Sequence, residues 1–182
     1  MSARVCGLDV SLTCTGWAAP DGSYGVLRPR VHDGKWRELR GAERLSWLRD
    51  EVLALEHEHR VELFAIEGFA FGVKSSRSHE IGGAGWIVRV ALWDAGIPWV
   101  DVPPSSLKKW ATGRGNAGKP DMQAAAYKRL DYDRDKPDDN EIDALFLRAM
   151  ILDKLGSPVV VVPASHRVAL DKIDMGTWED AA

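Results

Sequence analysis

"VCGLDVSLTCTGW", residues 5–17, is the stretch on which the fold turns. Residues 5–10 read as a buried strand, but Asp9 places a carboxylate near the end of the apolar run. A polar segment of Ser, Thr and Cys follows, then Gly16. Strands covered on both faces are near-continuous apolar runs, and an unpaired buried charge is costly. Asp9 therefore needs compensation. It can cap a turn, sharing hydrogen bonds with Ser11 and Thr13, or it can face a cation.

The pattern continues outward from there. Residues 16–19 read as a second strand, "PDGS" at 20–23 as a hairpin turn, and residues 24–30 as a third, antiparallel strand. From 36 to 59, Leu39, Leu45, Leu48, Val52 and Leu55 recur at helical spacing. "VELFAIEG" at 61–68 is a fourth strand ending in Glu67, and residues 69–79 form a loop. Helix 81–95, strand 96–103 and a short helix at 105–112 precede "GRGNAGKPD" at 113–121. Helices at 122–130 and 140–155 flank a solvated stretch at 131–139. "SPVVVVP" at 157–163 reads as a sixth strand and 164–173 as a short helix. A three-strand meander followed by βαβ crossovers predicts an α/β fold: a mixed sheet with helices on both faces.

The totals agree with one soluble domain. The chain has 182 residues, 45% hydrophobic and 28% charged, with a net charge of −3. No uncharged apolar run is long enough for a membrane helix, and the N-terminus lacks a signal-peptide layout. Cys6 and Cys14 have no metal-site company, which predicts reduced thiols inside a cell. A mildly acidic total leaves room for a local basic patch that binds phosphates.

Three carboxylates stand out by placement. Asp9 and Glu67 each close an apolar strand; if those strands are parallel neighbours, both lie at the same end of the sheet, where open α/β sheets bind ligands. Asp143 opens the apolar run of the last long helix, with Asp139 and Asn140 four and three residues earlier on the same face. Carboxylates held close repel one another unless a cation neutralises them. Oxygen donors of this kind suit Mg2+ or Mn2+, and two such ions can clamp the attacking and leaving oxygens in phosphodiester hydrolysis. Each residue alone also has a plain structural reading: Asp9 as a turn cap, Glu67 as a strand-end charge, Asp138 or Asp139 as a helix N-cap.

Together "GLDVSLTCTGW", "AIEGFAFG", "GIPWVDVPPSSLKKWATGRGNAGK" and "DDNEIDAL" resemble the successive motifs of RuvC-type Holliday junction resolvases, in order, from about residue 4 to 155. The resemblance implies an RNase H-like five-stranded sheet. It implies a homodimer that cuts four-way DNA junctions symmetrically with divalent metal, Mg2+ with Mn2+ able to substitute. It also implies a cytoplasmic setting in a bacterium or phage-infected cell. Asp9, Glu67 and Asp143 match family metal ligands. The fourth ligand, usually three residues before the last aspartate, falls on Asn140; Asp139, one residue earlier, is the preferred replacement because it is negative. Lys108 and Lys119 match lysines that approach the scissile phosphate, with Lys119 counted in the catalytic set. Arg114, Lys74 and Arg77 are further phosphate contacts, and Phe69 or Phe71 stands where the family places an aromatic wedge. The small residues at 82–85 match a helix of the family dimer interface, with close packing on their own sheet an equal alternative.

Residues 1–155 are thus expected to form the nuclease domain, and 156–182 an extension packed on it or at an interface. The function expected is metal-dependent endonucleolytic resolution of four-way junctions. A broader nuclease for branched, flapped or RNA substrates and a non-catalytic junction-binding relative are the alternatives. An actin-like kinase, which shares the Asp-x-Ser-x-x-x-Thr-Gly start, would need a second half that 182 residues cannot supply.

Overall fold

In the computed structural model, residues 2–69, 78–176 and 178 are described. Five strands form the main sheet: β1 (Val5–Asp9), β2 (Thr15–Ala18), β3 (Tyr24–Leu27), β6 (Leu63–Glu67) and β7 (Trp99–Val102), in the spatial order β3-β2-β1-β6-β7. β1, β2 and β3 are antiparallel neighbours, while β6 runs parallel to β1 and β7 parallel to β6. This is the mixed sheet that the meander and crossovers predict. The turn at 20–23 forms as read: Ser23 donates its backbone N–H to Asp21 Oδ1 at 2.9 Å, and Gly22 adopts φ +92°.

Two helical layers cover the sheet. α1 (Gly41–His59) and α2 (Ser78–Asp94) lie on one face, over Cys6, Leu8, Phe64 and Ile66. α3 (Pro104–Thr112), α4 (Lys119–Arg129) and α5 (Asp139–Lys154) lie on the other, over Val5, Leu63, Ala65, Val100 and Val102. The strand period of two assigns alternate residues to opposite faces. Val5, Gly7 and Asp9 therefore share the α5 face, as do Leu63, Ala65 and Glu67.

Two glycines let α5 lie directly on the sheet. A Cβ on Gly7 would stand 1.9 Å from the Ala144 carbonyl oxygen, and one on Gly16 would stand 1.9 Å from that of Asn140. No side chain fits at either position while the helix keeps its place. This close approach brings Asp143 down onto the end of β1.

Four elements differ from the sequence expectation. The third strand stops at Leu27, because Pro29 has no N–H for a ladder. Instead, β4 (Arg30–His32) and β5 (Trp36–Glu38) form a separate hairpin, with Gly34 at φ +93° in its turn. Trp36 thus belongs to a strand, and the helix expected from residue 36 begins at Gly41. α4 starts at Lys119 rather than 122; the Asp121 carboxylate accepts the Gly118 N–H at 3.0 Å and fixes the first turn.

Residues 157–163 form no strand. Val162 is buried, but Val161 is 90% exposed, and its carbonyl accepts from Arg129 Nη1 at 3.1 Å. β-branched residues favour a strand only where a sheet edge pairs with them, and among the described residues none does so here. The chain then packs back through α6 (Ala164–Arg167) and a 3-10 turn (Val168–Lys172), burying Ala169, Leu170, Ile173 and Met175 in the α5-side core. Asp153, buried on α5, accepts from Trp110 Nε1 at 3.0 Å and pairs with Arg167 Nη2 at 2.8 Å. Both cysteines are free and buried. Among the described residues no helix is long and apolar enough to cross a membrane.

Candidate active site

The register Gly7↔Ala65 and Leu8↔Ile66, carried one residue further, sets Asp9 beside Glu67 at the carboxyl ends of β1 and β6. Asp143, one turn into α5, faces them from above. The Glu67 charge acts on both aspartates, and the Asp143 charge acts on Asp9. Burial raises Asp9 well above the ordinary aspartate value, and the charges of Glu67, Asp143, Asp138 and Asp139 raise it further. Burial, reinforced by the Glu67 charge, pushes Asp143 up to about 7, while Lys108 and Lys119 pull the other way. Glu67 is raised by burial, with the Lys108 ammonium opposing. Among the described residues, no hydrogen bond or salt bridge reaches any of these three side chains.

The hydrogen bonding of the turn speaks against the turn-capping reading of Asp9. A turn-capping aspartate would have its charge satisfied and its pKa held down. Here the local turn closes without it: Ser11 Oγ donates to the Cys14 carbonyl at 2.7 Å, and Thr15 Oγ1 donates to the Ser11 carbonyl at 3.0 Å.

The α5 N-terminus holds the remaining acidic groups apart. Asp138 is the N-cap; its Oδ1 accepts both the backbone N–H and the side-chain Nδ2 of Asn140 at 3.0 Å. Asp138 Oδ2 pairs with Arg28 Nη2 at 3.1 Å. Asp139 Oδ2 pairs with Lys119 Nζ at 2.6 Å, and Asp139 Oδ1 accepts from Gln123 Nε2 at 2.9 Å. Desolvation works upward on Asp139, but these two donors outweigh it and hold the carboxyl below its ordinary value. Arg28 and Gln123 carry no sequence signal of this role; Arg28 lies 110 residues from Asp138.

The other sequence-predicted residues fall as follows. Lys108, half-buried on α3, lies close enough to Glu67 and Asp143 to lower both. Lys119 is 77% exposed and reaches the site through Asp139. Arg114 pairs with Asp121 at 2.6 Å, at the mouth of the loop before α4. Phe69 packs on α2, its ring 5.7 Å from that of Trp86 and 4.6 Å from the Arg89 guanidinium carbon. Buried Arg89 in turn donates to the Glu67 carbonyl at 3.3 Å and pairs with Asp101, tying together the ends of β6 and β7. Lys74, Arg77 and Phe71 lie outside the described residues.

The donor set suits a hard divalent cation: anionic oxygens, largely buried, mutually repelling, with cations only at the margin. Among the described residues no three or more acidic, His or Cys side chains are arranged so that they could together hold a metal ion. The fit therefore lies in donor chemistry and mutual repulsion.

No family model matches the chain. Curated relatives do. The crossover junction endodeoxyribonuclease RuvC of Roseiflexus sp. (strain RS-1) is 33% identical over 125 residues, 67% of this chain and 74% of the relative. That of Synechococcus sp. (strain CC9311) is 29% identical over 150 residues, 78% and 93% of the two chains. Among solved structures, Thermus thermophilus RuvC superposes with a TM-score of 0.62 at 22% identity, over 86% of this chain and 99% of that one. The same protein in complex with a Holliday junction substrate gives 0.62 at 23%, over 87% and 99%. The yeast mitochondrial Holliday junction resolvase Ydc2 gives 0.57 at 12%, over 93% and 81%. The mixed five-stranded sheet is thus the RNase H-like fold of RuvC, and the chain belongs to the RuvC family of crossover junction endodeoxyribonucleases.

Proposed function

We propose that this chain is an endonuclease that resolves four-way DNA junctions by hydrolysing phosphodiesters in two strands symmetrically, with Mg2+ as cofactor. One observation carries the reading: the topology delivers Asp9, Glu67 and Asp143 from three elements to one end of the sheet, where burial disfavours the charged form of all three and the Glu67 charge adds to that cost at Asp9 and Asp143. A stable core gains nothing from that arrangement; a cation site does. Mn2+ fits the same donors.

Asp9, Glu67 and Asp143 would hold Mg2+, with Asp139 or the Asn140 carbonyl oxygen completing the set. The bound ion would supply Lewis-acid polarisation of the phosphate and a low-pKa water. The chain's own groups do the rest. Lys108, beside Glu67 and Asp143, orients the scissile phosphate. Lys119 exchanges Asp139 for a phosphate oxygen as DNA arrives, and Arg114 follows the backbone along the same loop. None of these contacts reads a base, which suits selection by DNA shape.

Two cuts in a two-fold junction need two sites. Gly82, Trp86, Val90 and Trp93 line one face of α2, with Trp86 59% and Trp93 70% exposed. Two copies meeting there would bury the tryptophans. Gly85 serves the protein's own packing instead: a Cβ on it would stand 2.5 Å from the Phe69 ring. Residues 1–155 carry the nuclease, and 156–176 brace α3 and α5 against each other. The work belongs in the cytoplasm, where the DNA is, and the bacterial origin of the relatives supports that reading.

The test is cleavage of a labelled four-way junction, a flap and a plain duplex, with and without Mg2+. Paired symmetric nicks in the junction alone, requiring Mg2+, are expected. Equal cutting of flaps would make it a general branch nuclease; junction binding without cutting under any divalent ion would make it a scaffold.

A further inference from the structure

The β4–β5 hairpin has no part in the site described so far. It leaves the main sheet at the catalytic end: Leu27 pairs with Thr15, and the adjacent Gly16 pairs with Asp9. Arg28 at its root is tied to the α5 N-cap through Asp138. From Arg28 to Arg40 the chain carries five basic residues and two acidic ones, in a protein of net charge −3.

The register sorts the hairpin's faces. Val31 faces Arg37 across the strands, and Arg37 forms two hydrogen bonds with Glu43 of α1, at 2.8 and 2.9 Å. That face is turned toward α1. The opposite face carries Arg30 with Glu38 and His32 with Trp36, all exposed. Trp36 is 66% exposed. The Arg30 guanidinium carbon lies 4.9 Å from its ring centroid and the His32 ring 5.0 Å. A large indole held open to water among cations is poor surface chemistry for a lone protein, but it matches a nucleic-acid strand. Phosphates meet the cations, and a base stacks on the indole.

We infer that the β4–β5 hairpin is a second DNA-binding element, in which Trp36 stacks on a base unpaired at the branch while Arg30 and Lys35 contact its flanking phosphates. This rests on the junction-nuclease reading. Asp9 to Leu27 spans two strand spacings, about 10 Å; His32 lies at most about 18 Å beyond Leu27, and its partner Trp36 one strand spacing, about 5 Å, further across. At about 3.4 Å per nucleotide, the hairpin meets the bound strand within roughly ten nucleotides of the cut.

The experiment measures junction Kd across a salt series for the wild-type protein, Trp36→Ala and the double variant Arg30→Gln/Lys35→Gln, with cleavage at saturating DNA alongside. Wild-type binding and cutting test the junction-nuclease reading by themselves. Given those, Trp36→Ala should raise Kd about tenfold. The double variant should lower the slope of log K against log salt by about two, one per lost phosphate contact. Both variants should cut at the wild-type rate once saturated. Wild-type Kd and salt slope in both variants, with circular dichroism showing intact folds, would overturn the inference while leaving the nuclease reading in place.

Discussion

Replacing Asp143 by asparagine should stabilise the metal-free protein, and should do so mainly above neutral pH. Burial and the Glu67 charge lift the Asp143 carboxyl from 3.8 to about 7. Between those values the native state holds a proton that the unfolded chain has released. Stability therefore falls as pH rises across that window. A shift of about three units is worth roughly 4 kcal/mol at pH 8, at about 1.4 kcal/mol per unit, and less than about 2 kcal/mol at pH 5. Asp143→Asn removes the ionisation and recovers that energy. At about 2 to 4 °C per kcal/mol for a chain of this size, Tm at pH 8 should rise by some 8 to 16 °C, and by less than half as much at pH 5. The assay is thermal unfolding in chelator at the two pH values. Saturating Mg2+ should stabilise the wild-type protein at pH 8 and the variant much less. An unchanged or lowered Tm for the variant at pH 8, or an equal gain at both pH values, would refute the picture of three mutually repelling carboxylates.

Other outcomes follow from the same geometry. Gly16→Ala drives a Cβ into the Asn140 carbonyl; denaturant unfolding should show a loss of at least about 2 kcal/mol, and cleavage should fall because α5 is lifted off β1. Lys119→Gln breaks a solvent-exposed pair and should leave Tm nearly unchanged, while junction cutting falls roughly tenfold or more through a lost phosphate contact. Asp153→Ala strands the Trp110 indole N–H and Arg167 together and should cost about 3 kcal/mol in urea unfolding, with metal binding at the carboxylates preserved.

Much of the candidate carboxylate cluster is legible in the sequence, for a local reason. Asp9 and Glu67 interrupt apolar runs, and Asp143 opens one, so each is conspicuous within its own element. The parallel pairing of β1 with β6 then follows from the crossover rule. What the sequence does not display depends on contacts between distant elements. Gly7 and Gly16 look like ordinary small residues until α5 lies on them. The Arg28–Asp138 pair joins residues from opposite ends of the chain. Trp36 and Leu39 happen to fall in phase with the helix that follows, so the hairpin was hidden inside a helical period. The valine run at 159–162 has the local propensity of a strand but no edge to pair with.

The most direct test of the account measures binding and cutting together. Asp9→Asn and Asp143→Asn are compared with the wild-type protein on one four-way junction, by gel shift and by product formation in Mg2+. The account predicts that both variants fold and bind the junction at least as tightly as the wild type, since one carboxylate no longer repels the phosphates, and that neither cuts it. Cutting by either variant at the wild-type rate would contradict the assignment of this carboxylate cluster as the catalytic centre.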